Sequence, residues 1–274
     1  MTEQIKNGLR AENADPAEEI GRLKVDNADP AEEISRLKAE NARLKEELQK
    51  REEFIQSTFG TYLTHEVLED LLKNKEGLSI GGERREVTIL FSDIRRSTDL
   101  SEQMDAVSFI RMLNHYLEEM IEIINAWQGN ILDFVGDSIV AVFGAPRPNE
   151  LSGRDATACA VAMQRRMKAV NKWNVSQGYP EISMGIGIHT GEAILGNIGS
   201  MTRAKYDMIG RNVNLASRIQ GFTKGGQILV SDETLAAAGS RAVENEAGAM
   251  VVRPKGIRDD VTLHDIVGYG AQRL

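Results

Sequence analysis

The chain carries 274 residues, 41% hydrophobic and 27% charged, which leaves room for one sizeable packed domain and an extension. A net charge of −8 with no basic stripe excludes non-specific binding of nucleic acid. The single cysteine, Cys159, excludes an intrachain disulfide, and its setting in ATACAVAM reads as a small buried core residue in a reducing compartment.

No apolar run approaches the roughly 20 residues that a membrane helix needs. The opening stretch MTEQIKNGLRAEN lacks an apolar signal core. The expectation is a cytoplasmic protein with no direct membrane span.

Residues 11–52 repeat every fourteen positions: AENADPAEEIGRLK, VDNADPAEEISRLK, AENARLKEELQKRE. Fourteen is two heptads, the period of a coiled coil. With Ile20 at position a, the a series is Ile20, Asn27, Ile34, Asn41, Leu48 and Ile55, and the d series is Leu23, Pro30, Leu37, Leu44 and Arg51. Asparagine at a costs stability but fixes register and favours a parallel pair. Pro16 and Pro30 fall at d and count against a continuous coil, because an interior proline costs about 3 kcal/mol. The same ADPAEE also reads as a helix start, with Asp15 or Asp29 as N-cap and proline at N1. The firm coil is expected from Ala31 to about Ser57. Residues 1–58 thus form a helical dimerisation segment, which could also receive a regulatory partner.

Residues 59–84 read as a linker. They hold a short helical pattern (Val67, Leu68, Leu71, Leu72) and then the pair Gly81-Gly82, taken as a domain boundary. Over 85–270 the texture changes. VTILFSDI reads as a buried strand and AVSFIRMLNHYLEEMIEIINAW as an amphipathic helix. ILDFVGDSIVAVFGA reads as two strands around a Gly-Asp turn and RDATACAVAMQRRMKAVNKW as a second helix. ISMGIGIHTGEAILGNIG reads as a strand pair, NVNLASRIQGF as a helix start and GQILVSD as a strand. That order makes an α+β domain, a mainly antiparallel sheet covered by helices.

Two aspartates stand out. Asp93 ends the strand TILFSD, and Asp137 sits in the turn of FVGDS. Carboxylates at the ends of neighbouring strands can share a divalent ion such as Mg²⁺, which needs only one or two of them plus substrate phosphates. By spacing alone they are equally turn formers or helix caps. Asn214 and Arg218, four apart in NVNLASRIQ, share one helix face. An amide can hold a ribose and a guanidinium can stabilise a phosphate in transfer, although a cap and a surface arginine look the same in sequence.

Together, VTILFSDIRRST, FVGDSIVAVFGAP, GIGIHTGEAILGNIGS and YDMIGRNVNLASRI resemble, in order, the motifs of the class III nucleotidyl cyclases, the adenylate and guanylate cyclases. The stretch FGTYLTHEVLEDLL with GGERREV resembles the linker before such domains in bacteria. The resemblance spans about Arg85 to Val267 and implies a ferredoxin-like cyclase domain behind a parallel coiled coil. It also implies two divalent ions per site, Mg²⁺ or Mn²⁺, held by Asp93, Asp137 and the backbone carbonyl of Ile94. Asn214 would orient the ribose, Arg218 would stabilise charge at the α-phosphate, and Lys255 in RPKGI would bind phosphate. In this family the site lies between two catalytic domains, so the chain is expected to work as a homodimer with two equivalent sites.

The resemblance assigns base choice to two positions, here Asp133 and Asp207. Adenylate cyclases commonly have Lys at the first and Asp, Thr or Ser at the second; guanylate cyclases commonly have Glu and Cys. Asp207 can accept from the adenine 6-amino group. Asp133 can accept from guanine N1 and N2, as Glu does. The two positions favour different bases, and the expectation leans to ATP because Asp207 is an intact adenylate-type residue. A guanylate cyclase, or a nucleotide-binding homologue without turnover, is the alternative. An enzyme joining two GTP molecules is disfavoured, since no Gly-Gly-Asp/Glu-Glu-Phe turn occurs.

Overall fold

The computed structural model describes residues 30–59 and 80–274. The chain divides into two units, Met1–Tyr62 and Leu63–Leu274. The heptad positions before Pro30 and the helical pattern at Val67–Leu72 lie outside the described residues.

In the first unit a single helix, α1, runs over Pro30–Phe59. Pro30 opens it, where a missing N–H costs nothing and the ring presets φ. Glu32 and Glu33 lie in the first turn, facing the positive end of the helix dipole. Lys50–Glu46 and Arg51–Glu47 pair at i, i+4, at 2.7 and 2.9 Å. The a and d residues Ile34, Leu37, Leu44 and Leu48 form an apolar stripe left about half exposed. No helix among the described residues is long and apolar enough to cross a membrane.

The second unit is built on one sheet, with strands in the order β10-β9-β6-β4-β1-β3-β2. β1 (Gly81–Ile94) lies near its centre and pairs antiparallel with β4 (Met184–Ser200) over its whole length, from Gly81↔Asn197 to Ile94↔Met184. On its other edge β1 pairs with β3 (Ser138–Phe143), which forms a hairpin with β2 (Asn130–Val135). β5 (Arg203–Ile209) returns antiparallel along the end of β4. β6 (Ile228–Ser231) runs parallel to β4, the one parallel pair among the described strands. β9 (Val261–Tyr269) pairs with β6 and carries the short strands β7 (Ala242–Glu244), β8 (Met250–Val252) and β10 (Gln272–Arg273).

Both faces of the central strands are covered, which explains their unbroken apolar runs. Leu90 and Ile94 of β1, with Ile139, Ala141 and Phe143 of β3, face helices α3 (Ala106–Ala126) and α4 (Ser152–Ser176). Met112, Tyr116, Met120 and Ile124 of α3 complete that core. Cys159 lies there fully buried, and burial pushes its thiol pKa well up. The alternate residues Val87, Ile89, Val140 and Val142 face the other way and pack on Leu132, Tyr206, Met208 and Ala216. Thus β5 and helix α5 (Arg211–Gly221) cover the second face. Helices α2 (Ser97–Gln103) and α6 (Asp232–Ala238) complete the unit.

One expectation is corrected. ISMGIGIHTGEAILGNIG is not a strand pair: Met184–Ser200 is one strand, and the hairpin comes later, between Ser200 and Arg203. Its glycines serve close approach rather than a turn. A Cβ on Gly187 would sit 2.2 Å from the Gln220 backbone nitrogen, and one on Gly191 would sit 2.5 Å from Asn212 Nδ2. β1 begins at the pair Gly81-Gly82, and Glu83 and Arg84 continue the same strand. The strand passes so near β4 that a Cβ on Gly196 would meet the Gly81 carbonyl oxygen at 2.1 Å.

Candidate active site

Asp93 and Asp137 meet at one end of β1. Asp137, in the β2–β3 turn, accepts the Ile94 N–H through Oδ2 at 2.8 Å. Asp93 Oδ1 accepts from Arg95 Nη2 at 2.6 Å. Ser138 Oγ donates to the Ser92 carbonyl at 3.0 Å and ties the turn to the strand. Burial and the nearby Asp137 charge raise the Asp93 pKa, against the opposing pull of Arg95. Beneath them the Tyr116 hydroxyl is fully buried and contacts Met184 Sδ at 3.1 Å; burial holds it neutral. The two carboxylates, beside the backbone of Ile94, form an oxygen-rich corner that fits a hard cation. Among the described residues no third Asp, Glu, His or Cys joins them. That suits Mg²⁺ or Mn²⁺, which would take water and phosphate oxygens for the rest of the coordination shell.

Asn214 and Arg218 lie on the exposed side of α5, opposite the buried Leu215, Ala216 and Ile219. Among the described residues neither side chain has a partner. The helix itself is held firmly. Gly210 precedes it at φ 153°, a conformation that favours glycine. Asn212 donates to the Glu192 carbonyl at 2.9 Å, so its Oδ1 is left to accept from His189 Nε2 at 3.2 Å. His189 Nδ1 then accepts from Ser231 Oγ at 2.8 Å. Burial lowers the His189 pKa and favours this neutral form. With Gly191 under its first turn and Gly187 under its last, α5 is seated on β4 at both ends. The spacing of Asn214 and Arg218 was legible in the sequence; this seating was not.

Lys255 lies exposed in the loop between β8 and β9. Arg253 Nε donates to Asp260 Oδ1 across the loop, and Arg211 Nη2 donates to Asp259 Oδ2, both at 2.6 Å. The second bond ties the Lys255 loop to the first residue of α5.

Asp133 and Asp207, on β2 and β5, come together through a residue the sequence reading did not single out. Lys205 Nζ donates to Asp133 Oδ2 at 2.7 Å and stands 3.5 Å from Asp207 Oδ2. Asp133 Oδ1 also accepts from the Phe134 N–H, and Asp207 Oδ1 from the Met208 N–H. Burial opposes the Lys205 charge, but the two carboxylates outweigh it and raise its pKa. The signal was present: Lys205 and Asp207 are two apart on a strand and so share a face.

Residues 82–267 match the family model described as the adenylate and guanylate cyclase catalytic domain. The chain belongs to this family. "Adenylate cyclase 1" of Rhizobium meliloti (strain 1021) is 32% identical over 77% of the chain, and "Adenylate cyclase" of Anabaena cylindrica 36% identical over 58%. The matched stretch makes up 32% of each of these curated relatives. Among solved structures, the guanylyl cyclase Cya2 is 43% identical, with TM-score 0.68, covering 70% of this chain and 96% of that one. The adenylyl cyclase CyaB from P. aeruginosa is 33% identical, with TM-score 0.66, covering 70% and 99%. The mixed sheet with its packed helices is therefore a class III cyclase fold.

Proposed function

We propose that the protein is a homodimeric adenylate cyclase, converting ATP to 3′,5′-cyclic AMP and pyrophosphate. The observation that carries the reading is the pair Asn214 and Arg218: firmly mounted, turned outward, and without a side-chain partner among the described residues. The carboxylate corner and the α5 face of one copy make two halves, which a two-fold pairing sets against the opposite halves of a second copy.

Asp93, Asp137 and the Ile94 carbonyl would hold Mg²⁺ or Mn²⁺; when bound, such ions acidify the ribose 3′-hydroxyl and offset triphosphate charge. Asn214 holds the ribose so that the 3′-oxygen points at the α-phosphorus. The 3′-oxygen bonds to that phosphorus as the bond to the β-phosphate oxygen breaks and pyrophosphate leaves. Arg218 stabilises the charge that builds on the α-phosphate, and Lys255 binds the departing phosphates. The coil expected from Ala31 to about Ser57 brings two copies together as a parallel pair, on which the exposed Ile34, Leu37, Leu44 and Leu48 stripe would close, and residues 1–58 offer a docking segment for a regulatory partner. Residues 59–84 lead from that segment into the domain. The substrate places the protein in the cytoplasm.

ATP is favoured by Asp207 and by the curated relatives named adenylate cyclase. GTP is the second reading, favoured by Asp133 and by the 43% identical guanylyl cyclase.

Purified protein with ATP or GTP and Mn²⁺ or Mg²⁺, its products identified by mass spectrometry, tests the reading. Cyclic AMP in excess is expected; cyclic GMP in excess moves the assignment to the second reading, and neither product makes the domain a nucleotide binder without turnover. Mixing Asp93→Asn with Arg218→Ala, each inactive alone, tests the shared site. Half the dimers formed are mixed, each with one intact site, so about a quarter of wild-type activity returns. No recovery overturns the two-copy site.

A further inference from the structure

Lys205 has no assigned role in the reaction above, yet it stands between the two residues on which base choice rests. We propose that Lys205 is the residue that reads the purine: its ammonium donates to N1 of adenine while Asp207 accepts from the 6-amino group. The inference rests on the cyclase reading and specifies how that site selects its substrate.

The argument is a count of donors and acceptors. An ammonium has three N–H bonds. In Lys205 one goes to Asp133 Oδ2 at 2.7 Å and a second leans toward Asp207 Oδ2 at 3.5 Å, so one is open. Asp133 already accepts at both oxygens, from Lys205 and from the Phe134 N–H at 2.9 Å. Asp207 accepts at Oδ1 from the Met208 N–H at 2.8 Å, but its Oδ2 has only the long contact to Lys205. The cluster therefore presents one open donor beside one under-used acceptor, and all three side chains are partly exposed, at 45%, 47% and 39% for Lys205, Asp133 and Asp207.

Adenine offers the complementary edge: a ring acceptor, N1, next to the 6-amino donor. Guanine offers two adjacent donors, N1–H and the 2-amino group, which call for a carboxylate with both oxygens open. Asp133, already accepting once at each oxygen from Lys205 and from the Phe134 N–H, would have to meet both donors through its remaining lone pairs while Lys205 sets a third donor beside them. The missing methylene that separates Asp133 from a glutamate thus acquires a purpose. A short carboxylate here anchors a lysine that reaches in from β5, so the donor that adenylate cyclases commonly carry at the first position is supplied from the second strand instead. Asp133 then acts as a positioning residue and Lys205 as the reader.

The test uses the full chain and three substrates: ATP, GTP and 1-deaza-ATP, in which N1 is replaced by C–H. Wild-type protein is expected to prefer ATP over GTP. Its kcat/KM should fall about 10- to 100-fold on 1-deaza-ATP, the range for a lost hydrogen bond at a specificity site. Lys205→Met should lose ATP activity by a similar factor and treat ATP and 1-deaza-ATP alike. Lys205→Gln, which keeps a donor, should retain part of the discrimination. The ratio of two substrates within one variant does not depend on how much of it is folded, and calorimetric binding reads the same ratio if turnover is too slow. Undiminished discrimination against 1-deaza-ATP in Lys205→Met overturns the proposal and leaves the cyclase reading standing. Preference of the wild type for GTP also overturns it. Failure of the wild type to form either cyclic nucleotide removes the cyclase reading, and this inference with it.

Discussion

The carboxylate corner and the α5 face treat their polar groups in opposite ways. At the corner each group is already spoken for: Asp137 by the Ile94 N–H, Asp93 by Arg95, Ser138 by the Ser92 carbonyl. On α5 the backbone is pinned through Asn212, His189 and two glycines, while Asn214 and Arg218 are held out without a side-chain partner among the described residues. A side chain that its own chain satisfies contributes to folding as well as to chemistry. One left open contributes little to the stability of the chain that carries it and is free to meet a partner that arrives from outside.

That contrast is broken or sharpened first by substituting one group from each region. Arg218→Ala should lower kcat by about 10²- to 10³-fold, as for other groups that stabilise transition-state charge. It should leave stability within about 0.5 kcal/mol of wild type, because no side-chain bond among the described residues is lost. Asp137→Asn should reduce activity at least as far, and in addition weaken the bond to the Ile94 N–H, costing about 1 kcal/mol. Activity assays beside urea melts separate the two. A clear loss of stability in Arg218→Ala would mean that the arginine has a structural partner after all.

Next in size is the seating of α5. Gly187→Ala places a methyl group 2.2 Å from the Gln220 backbone nitrogen, so the helix must lift. Overpacking of this kind costs about 1–3 kcal/mol. Because Asn214 and Arg218 ride on that helix, kcat should fall too, although neither is altered. A melt together with a kcat measurement checks it; normal kcat in a destabilised variant would show that the position of α5 is not critical.

This substitution also marks where the sequence was legible. β1, the β2–β3 hairpin, α3, α4 and α5 follow from apolar periodicity and could be read directly. β4 could not, because glycines at a close crossing look the same in sequence as glycines at a turn, and only the partner at 2.2 Å tells them apart. The short edge strands β7, β8 and β10, of two or three residues, carry too little pattern to show. In the site, Asp93, Asp137, Asn214 and Arg218 come from motifs that hold their spacing. Lys205 depends on β5 folding across the sheet to meet β2, a long-range placement that no local window contains. Its i, i+2 relation to Asp207 was the only trace.

The contrast extends to α1, whose leucines, like Arg218, are exposed. If a second copy covers them, Leu37→Asp with Leu44→Asp should unlink the pair without touching the domain. Each buried leucine lost from such a seam is worth about 1.5–3 kcal/mol. Specific activity should then fall on dilution, recover at high concentration, and track the dimer fraction seen by light scattering. Activity independent of concentration in this double variant would leave the stripe to some other partner.

The smallest effect belongs to a group whose ring is bonded on both sides within its own chain. His264, on β9, has one ring nitrogen 2.6 Å from Glu244 Oε2 and the other 2.7 Å from Asp232 Oδ1. Burial works against its charge, but the two hydrogen bonds and the two negative charges prevail and raise its pKa. A raised histidine pKa stabilises the fold fully below the unfolded value near 6.5, and that stabilisation disappears as pH rises through the folded value. His189 acts in the opposite sense: with its pKa lowered, it stabilises above 6.5 and loses that contribution as pH falls. Comparing wild type with His264→Gln at each pH cancels the His189 contribution, which both share. The gap in melting temperature should be widest near pH 6 and close at alkaline pH. It should correspond to about 1 kcal/mol or less, because both carboxylates stand largely in solvent. Turnover should be unchanged once both proteins are folded, since every bond His264 makes is to its own chain; a pH-independent gap would show that the ring is held by packing rather than by charge.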